Sequence, residues 1–158
     1  MLMSQKKEIL PHPKKKKVKT KSIEAGGGVV FRKFGLETQV LLIYRNGVWD
    51  IPKGKREKKE TREECARREV MEEVNADSLP KVIDPLKNTF HSYIQKEKLY
   101  NKTTFWFSMF FEKDQNFSPQ TSEGIEKVEW AGLQEAKQKV GYKNLVDVLV
   151  DFEEKIKT

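Results

Sequence analysis

The chain has 158 residues, 37% of them hydrophobic and 35% charged, which suits one domain with a modest core. No apolar run reaches the roughly 20 residues that a membrane-spanning helix needs, and a single cysteine, Cys65, excludes an internal disulfide. Residues 1–22 hold eight lysines and one glutamate, so the net charge of +7 belongs to them and the rest of the chain is neutral. We predict a cytoplasmic protein that avoids membranes, with a basic tail over residues 1–22 and one domain over residues 23–158.

The tail is rich in lysine and has few apolar residues after Leu10. We interpret it as a mobile arm or an irregular leader. Its run PKKKKVK, at residues 13–19, resembles a nuclear-import signal and would also suit the phosphate backbone of a nucleic acid. A solvated tail without a binding role is the simpler interpretation.

Two strands are predicted at the start of the domain. The first follows the glycine triplet Gly26–Gly28, which we interpret as a site of close backbone packing, because a strand follows it where a phosphate loop would lead into a helix. The second is an apolar run at residues 39–44, and residues 34–36 between the strands predict a hairpin. Residues 49–54, WDIPKG, then lead to a charged helix over residues 61–74.

The second half of the chain predicts further strands and two more helices. The pattern predicts a short strand or connector over 79–85, then strands over 90–94 and 103–111 with a polar loop over 95–102 between them. A loop over 119–124 and a strand over 125–131 follow. Helices are predicted over 133–140 and 144–156. Strands mixed with three helices favour an α/β fold, packed as an α/β/α sandwich.

The charged helix has two distinct faces. At 100° per residue, Glu69, Glu72 and Glu73 share one face with i, i+3, i+4 spacing. An apolar stripe on another face would pack on the core: Ala66, Val70 and Val74. Since like charges on one helix face repel, the three carboxylates indicate a ligand that neutralises them. A hard divalent cation such as Mg²⁺ binds carboxylate oxygens in this way.

The same segment matches a longer motif with fixed spacing. The matching residues, in register, are Gly54, Glu60, Arg68, Glu69, Val70, Glu72 and Glu73. This pattern resembles the signature of the MutT-like Nudix hydrolase family, G-x5-E-x7-R-E-U-x-E-E-x-G-U, where U is a bulky aliphatic residue. Asn75 replaces the last glycine and Ala76 the last aliphatic residue. We expect Asn75 to close the helix in a left-handed conformation, for which asparagine is the usual substitute for glycine.

The resemblance implies a Nudix fold, an α/β/α sandwich with a mixed β-sheet. It also implies hydrolysis by water at the pyrophosphate of a nucleoside diphosphate joined to a further group, with Mg²⁺ or Mn²⁺ as cofactor. The metal ligands that it implies are the carboxylates of Glu69, Glu72 and Glu73 and a backbone carbonyl at Gly54. It gives Glu60 and Arg68 the role of orienting and balancing those carboxylates. The charge of a diphosphate repels a nucleophile, so such a site must neutralise it.

The general base is not fixed by the resemblance, because the family places it differently in different members. Glu69 is one candidate for the general base. We count both Glu69 and Glu73 among the catalytic residues. The other is an acidic residue after the aromatic strand. By position we choose Glu123, just before the last strand, over Glu126 and Glu97.

Basic residues beside the motif are expected to bind the phosphates of the substrate: Arg45, Lys53 and Lys55. We interpret Trp49 as a core or rim aromatic residue and His91 as structural. Cys65 is interpreted as a small residue that fills space on the helix, and His12 in the tail has no assigned role.

Residues 51–55, IPKGK, resemble the LPKGK form found in Nudix enzymes that act on dinucleoside polyphosphates, inositol pyrophosphates or ADP-ribose. The motif does not select a substrate; loops over residues 95–102 and 116–124 are expected to do so. Two alternatives stay open. One is a nucleotide-binding sensor or regulator with the Nudix fold, and the other is an enzyme that removes 5′-terminal phosphates from RNA. We expect a small phosphorylated nucleotide-like substrate and a monomer or homodimer.

Overall fold

The computed structural model describes residues 19–157, so the predicted basic tail lies outside the described residues up to residue 18. The strands and helices are β1 (Lys19–Phe34), β2 (Glu37–Arg45), β3 (Val48–Asp50), β4 (Lys53–Lys55), α1 (Arg62–Glu73), β5 (Lys81–Pro85), β6 (Thr89–Gln95), β7 (Lys98–Phe110), β8 (Ile125–Gly132), α2 (Leu133–Lys139) and α3 (Lys143–Ile156). A short 3₁₀ turn, Thr121–Glu123, precedes β8. Within residues 19–157 no helix combines the length and the apolar character that crossing a membrane requires.

The strands form one mixed sheet. Five of them lie in the order β3-β2-β1-β7-β5, while β4 pairs with β1, β6 with β7 and β8 with β2. The long strands β1 and β7 are parallel, and the other pairings are antiparallel. A parallel pair needs a crossover connection, and the chain between β1 and β7 includes α1.

Alternation along β1 and β2 divides the core into two layers. One layer packs against α2 and α3, and its strand residues include Val29, Val40 and Leu42. The other packs against the predicted apolar stripe of α1, and its strand residues include Val30, Leu41 and Ile43. Helices therefore cover both faces of the sheet, which confirms the predicted α/β/α sandwich.

Local sequence fixes both ends of α1. Thr61 begins it with a capping box: its hydroxyl accepts from the backbone N–H of Glu64 at 3.0 Å, and the Glu64 carboxylate accepts from the backbone N–H of Thr61 at 2.8 Å. Asn75 follows the helix with a φ of 51°, as expected for a residue in the place of glycine. Its side-chain amide also donates to the carbonyls of Ser118 and Pro119 at 3.2 and 3.0 Å. Asn75 therefore closes the helix and joins it to the loop before β8.

The prediction of a polar loop over residues 95–102 is wrong. β6 continues to Gln95 and β7 begins at Lys98, so the turn consists of Lys96 and Glu97, with φ values of 51° and 63°. Two successive left-handed residues suit a tight hairpin, which usually carries asparagine or glycine, and a Lys-Glu pair gives no such signal. Residues 19–22 also belong to β1, because they pair with β7.

Gly26 allows α1 to lie directly on β1. A Cβ added at Gly26 would lie 2.7 Å from the backbone nitrogen of Ala66 and 3.0 Å from the carbonyl oxygen of Arg62. Both are backbone atoms, so neither can move without the helix. Because Gly26 pairs with Gly54 of β4, the same contact sets how closely the carboxylate face of α1 approaches β4. The structure thus supports the interpretation of the glycine triplet as a packing site.

We expect Gly26→Ala to lower the free energy of unfolding by roughly 1–3 kcal/mol, the usual cost of overpacking a close contact, measured by urea denaturation. The control is Gly132→Ala, where an added Cβ would meet the carboxylate of Glu37, the flexible end of an exposed side chain. That variant should lose less stability, since Glu37 can turn away. Equal losses in the two variants would contradict the packing role of Gly26.

Candidate active site

The carboxylate face of α1 lies over β4 at Gly54. A Cβ added at Gly54 would lie 2.0 Å from the carboxylate carbon of Glu69. A side chain at this position would therefore fill the space that the carboxylate occupies. On the same side of α1, the Sγ of Cys65 lies 3.5 Å from the carbonyl oxygen of Gly54. Burial raises the pKa of Cys65 to about 12, which agrees with its interpretation as an unreactive space-filling residue.

Glu73 is the buried member of the three carboxylates, with a side chain only 3% exposed. Its oxygens accept from the backbone N–H of Lys53 at 3.2 Å and from Nη1 of Arg45 at 3.5 Å. Burial raises the pKa of Glu73 to about 7, against the opposing charges of Arg45 and Lys53. The negative charge of this carboxylate is thus only partly compensated by its protein partners.

Arg68 holds the exposed side of the same face together. Its Nε and Nη2 donate to the two oxygens of Glu60 at 2.8 and 2.7 Å. Its Nη1 donates to Glu69 at 2.9 Å and to Glu72 at 3.3 Å, and Nη2 also donates to the carbonyl of Lys55 at 3.1 Å. The paired hydrogen bonds from Arg68 lower the pKa of Glu60 to about 2. These are the contacts that an orienting pair needs.

Glu123 is brought near this face by the loop before β8. The backbone N–H groups of Ser118 and Gln120 donate to the carbonyls of Val74 and Glu73 at 3.1 and 3.2 Å, which ties the loop to the end of α1. Burial raises the pKa of Glu69, and the negative charge of Glu123 adds to that effect, which places the two residues within electrostatic range.

The other two candidates for the general base lie elsewhere. Glu126 is exposed on β8, and Glu97 is in the turn between β6 and β7. Among the described residues, no hydrogen bond or ion pair joins either to α1. Of these three, only Glu123 has an electrostatic interaction with a carboxylate of α1, that of Glu69.

The basic residues expected to bind substrate occupy different positions. Arg45 lies between Glu73 and Asp50, with N–O distances of 3.5 and 3.8 Å. The Nζ of Lys53 donates to the same Asp50 at 2.7 Å. Lys55 is exposed on β4, and its carbonyl accepts from Arg68. Asp50 therefore brings Arg45 and Lys53 together, whereas Lys55 belongs to the surroundings of Arg68.

A cavity of about 220 Å³ opens beside these residues. Its lining includes Asp50, Lys53, Thr89, His91, Lys102 and Tyr142. Lys102 is half-buried, and burial lowers its pKa, as do the nearby charges of Lys53 and Arg45. The charged side chains that line the cavity are thus two lysines and one aspartate. The ammonium groups of Lys53 and Lys102 can donate to phosphate oxygens there.

Sequence reasoning missed two of these lining residues. The sequence prediction places Lys102 in a loop. Lys98, Tyr100 and Lys102 have the i, i+2, i+4 spacing of one strand face, and that spacing is the available signal. Asp50 is a single acidic residue in a short strand and gave no signal. His91, interpreted as structural, is exposed and lines the cavity. Trp49 is a rim aromatic, as interpreted, with its ring 5.0 Å from that of Tyr44.

The oxygen donors of the carboxylate face suit a hard cation. Glu69, Glu73 and the carbonyl of Gly54 are oxygen donors of the kind that Mg²⁺ and Mn²⁺ prefer, and the burial of Glu73, only partly offset by Arg45 and Lys53, favours a cation beside it. In the part of the chain that the structure describes, no group of three or more aspartate, glutamate, histidine or cysteine side chains has the geometry of a metal site. Instead, Arg68 bridges Glu69 and Glu72. The donor set fits a divalent cation without forming a closed cluster.

Several solved structures share this fold. The Ap4A hydrolase of C. elegans, solved as a binary complex, has 22% sequence identity and a TM-score of 0.65, with 85% of this chain and 98% of that chain covered. The NUDIX domain of Shewanella oneidensis NrtR, solved with ADP ribose, has 18% identity and a TM-score of 0.67, with 85% and 88% covered. The E. coli dihydroneopterin triphosphate pyrophosphohydrolase has 17% identity and a TM-score of 0.64, with 80% and 91% covered.

The comparison of sequences gives the family. A search of curated proteins found no match. The family model of the NUDIX domain, however, matches residues 25–152, which is most of the chain and includes the whole carboxylate face. Together with the shared fold, this match establishes that the chain belongs to the NUDIX family.

Proposed function

We propose that the chain is a Mg²⁺- or Mn²⁺-dependent pyrophosphohydrolase that cleaves a nucleoside diphosphate joined to a further group, such as ADP-ribose or a dinucleoside polyphosphate. The observation that carries this proposal is the intact carboxylate face of α1, where Glu69 lies at the backbone of Gly54 and Glu73 accepts from the backbone N–H of Lys53, a residue that lines the cavity. Two of the solved structures with this fold are named as an Ap4A hydrolase and a triphosphate pyrophosphohydrolase. Their names support the same class of reaction.

Each part of the site has a role in the proposed reaction. Glu69, Glu72, Glu73 and the carbonyl of Gly54 would hold the cation. When bound, the cation supplies charge neutralisation of the diphosphate and acidification of a bound water. Lys53 and Lys102 would bind phosphate oxygens in the cavity, since charged N–H donors bind them strongly.

We assign proton abstraction from the attacking water to Glu123. Its support is its proximity to Glu69 and the two hydrogen bonds that tie the preceding loop to α1. Glu123 is exposed, so a proton that it accepts can pass to solvent. Arg68 acts as a positioning residue because it donates to Glu69 and Glu72, and Glu60 because it accepts two hydrogen bonds from Arg68.

We expect Mg²⁺-dependent release of phosphate or nucleotide from at least one of ADP-ribose, dinucleoside polyphosphates and oxidised nucleotides. Glu73→Gln should lower kcat by about 10²–10⁴-fold, the range for loss of a positioned ionic group. The matched control is Glu63→Gln, an exposed glutamate in the first turn of the same helix, which should keep the full rate. Full activity in Glu73→Gln would refute the assignment. If the protein hydrolysed none of these substrates but bound nucleotide without metal, the result would favour the alternative of a nucleotide-binding sensor or regulator.

The general base is tested by Glu123→Gln. We expect kcat to fall by about 10²–10⁴-fold, while the Kd for Mn²⁺ stays unchanged, because Glu123 is not assigned as a ligand. Glu126→Gln, on the exposed side of β8, is the control and should leave kcat unchanged. Steady-state kinetics and metal titration give the two readouts. A loss of rate in Glu126→Gln with full rate in Glu123→Gln would transfer the role to Glu126.

Replacing the guanidinium of Arg68 tests the positioning role. Arg68→Gln should lower kcat/KM by about 10–100-fold, the usual cost of losing a partner that orients a metal ligand. Arg67→Gln is the matched control, because the side chain of Arg67 donates to the carbonyl of Pro80, on another side of the helix. Both variants lose one positive charge from α1. If they lost activity equally, charge alone would explain the effect and the orienting contacts would not.

A further inference from the structure

One face of the sheet continues from the cavity along the ends of β1, β7 and β6. Residues paired directly across neighbouring strands lie on the same face. Nine residues share this face, in three cross-strand rows: Lys19, Lys98 and Gln95; Lys21, Tyr100 and Tyr93; Ile23, Lys102 and His91. We call this set the strip. His91 and Lys102 also line the cavity, so the strip and the cavity form one continuous surface.

Three aromatic rings form a stacked row on the strip. The ring centroids of His91 and Tyr93 are 5.5 Å apart with an angle of 25° between the planes, and those of Tyr93 and Tyr100 are 5.1 Å apart with an angle of 14°. His91 is exposed, and the two tyrosines are partly exposed. Because Tyr93 stacks between the other two rings, unpaired bases can extend the row at its ends, with little preference for sequence.

Four lysines surround the rings, and none of the nine residues is acidic. Lys19 and Lys98 are direct neighbours across β1 and β7, a position where like charges repel. Lysines often protect the edges of sheets, but β7 lies between β1 and β6, so Lys98 and Lys102 are not on an edge strand. A polyanion lying along the strip would relieve this repulsion.

The opposite face of the same strands has a different character. Glu24 lies there and is paired with Arg56 and Arg62 at 2.9 and 2.8 Å. Two large apolar side chains of β6, those of Phe90 and Ile94, are each 72% exposed and also lie on that face. The strip therefore has the lysines, and its one aliphatic side chain, that of Ile23, is not among the large exposed ones that insertion into a bilayer would use. This separation favours a nucleic acid over an anionic membrane as the ligand.

We propose that the strip binds single-stranded nucleic acid, with bases stacked on the two ends of the aromatic row, at His91 and Tyr100, and phosphates bound by the lysines. A strand bound in this way would present its terminal phosphates to the cavity and the carboxylate face of α1. That last step rests on the proposed hydrolysis, whereas the binding does not.

The test measures fluorescence anisotropy of a short, labelled single strand with a 5′-hydroxyl end, as RNA and as DNA, in the absence of divalent metal. Tyr93→Leu/Tyr100→Leu removes two rings and keeps apolar bulk, and should raise the Kd at least about tenfold, since each stacked base contributes substantially to binding. Tyr93→Phe keeps a ring and should keep the wild-type Kd. Thermal unfolding of each variant checks that the sheet is intact. A difference between the RNA and DNA arms would identify which strand the strip prefers.

The lysines are tested by the salt dependence of binding. Lys21→Gln/Lys98→Gln should make the slope of log Kd against log salt concentration shallower by roughly 1.4, or about 0.7 for each lost phosphate contact. The matched control is Lys33→Gln/Lys113→Gln, which removes the same charge from two exposed sites outside the strip. The lysines of residues 1–18 are present in every variant, so the difference between the pairs reports on the strip alone.

Three results would overturn the proposal: an unchanged Kd in the leucine variant, equal changes of slope in the two lysine pairs, or no binding of either oligonucleotide, whether or not phosphatidylserine vesicles bind. The probe has no pyrophosphate, so its binding is independent of turnover. A chain that binds the oligonucleotide but hydrolyses no nucleotide would contradict only the proposed function. A chain that hydrolyses nucleotides but does not bind the oligonucleotide would contradict only the strip.

Discussion

Several carboxylates are crowded on one face of α1, and the guanidinium of Arg68 keeps them there. Glutamates three and four residues apart on a helix repel each other. Arg68 offsets this repulsion by donating to Glu60, Glu69 and Glu72 at once, and its planar guanidinium does so with a paired contact to Glu60. Because the same side chain also binds the carbonyl of Lys55, it fixes the loop between β4 and α1 relative to the helix.

This electrostatic arrangement depends on close packing beneath it. Gly26 brings the backbone of α1 against β1, and Gly54 leaves the space that the carboxylate of Glu69 fills. Cys65 and Ala66, both small and buried, face the same strands. The positions of the carboxylates therefore depend on the two glycines. A larger side chain at Gly26 or Gly54 would push α1 and the Glu69 carboxylate away from the strands.

The features predicted correctly are those coded by neighbouring residues. The helix α1, its apolar stripe and its end at Asn75 follow from a helical period and local capping, which need no long-range contact. The apolar run at residues 39–44 likewise predicts a strand, and β2 is that strand, buried from Val40 to Ile43. The α/β/α sandwich then follows, because each face of the sheet exposes apolar side chains that only a helix layer covers.

The features that sequence reasoning missed depend on distant contacts. The hairpin between β6 and β7 is stabilised by the pairing of its strands, and its Lys-Glu turn looks like an ordinary polar loop. Asp50 becomes important only because Arg45 and Lys53 converge on it. Arg45, which we expect to bind phosphate, also contacts Glu73, and that contact joins β2 to α1.

The central claim is that the carboxylate face of α1 binds a divalent cation, and direct metal binding tests it without any choice of substrate. Electron paramagnetic resonance of Mn²⁺ titrated with the protein reports the free ion. The account predicts that the wild-type chain depletes the free Mn²⁺ signal and that Glu73→Gln raises the Kd for Mn²⁺ at least about tenfold, while Glu63→Gln does not. Equal Mn²⁺ affinity in all three proteins would contradict the account.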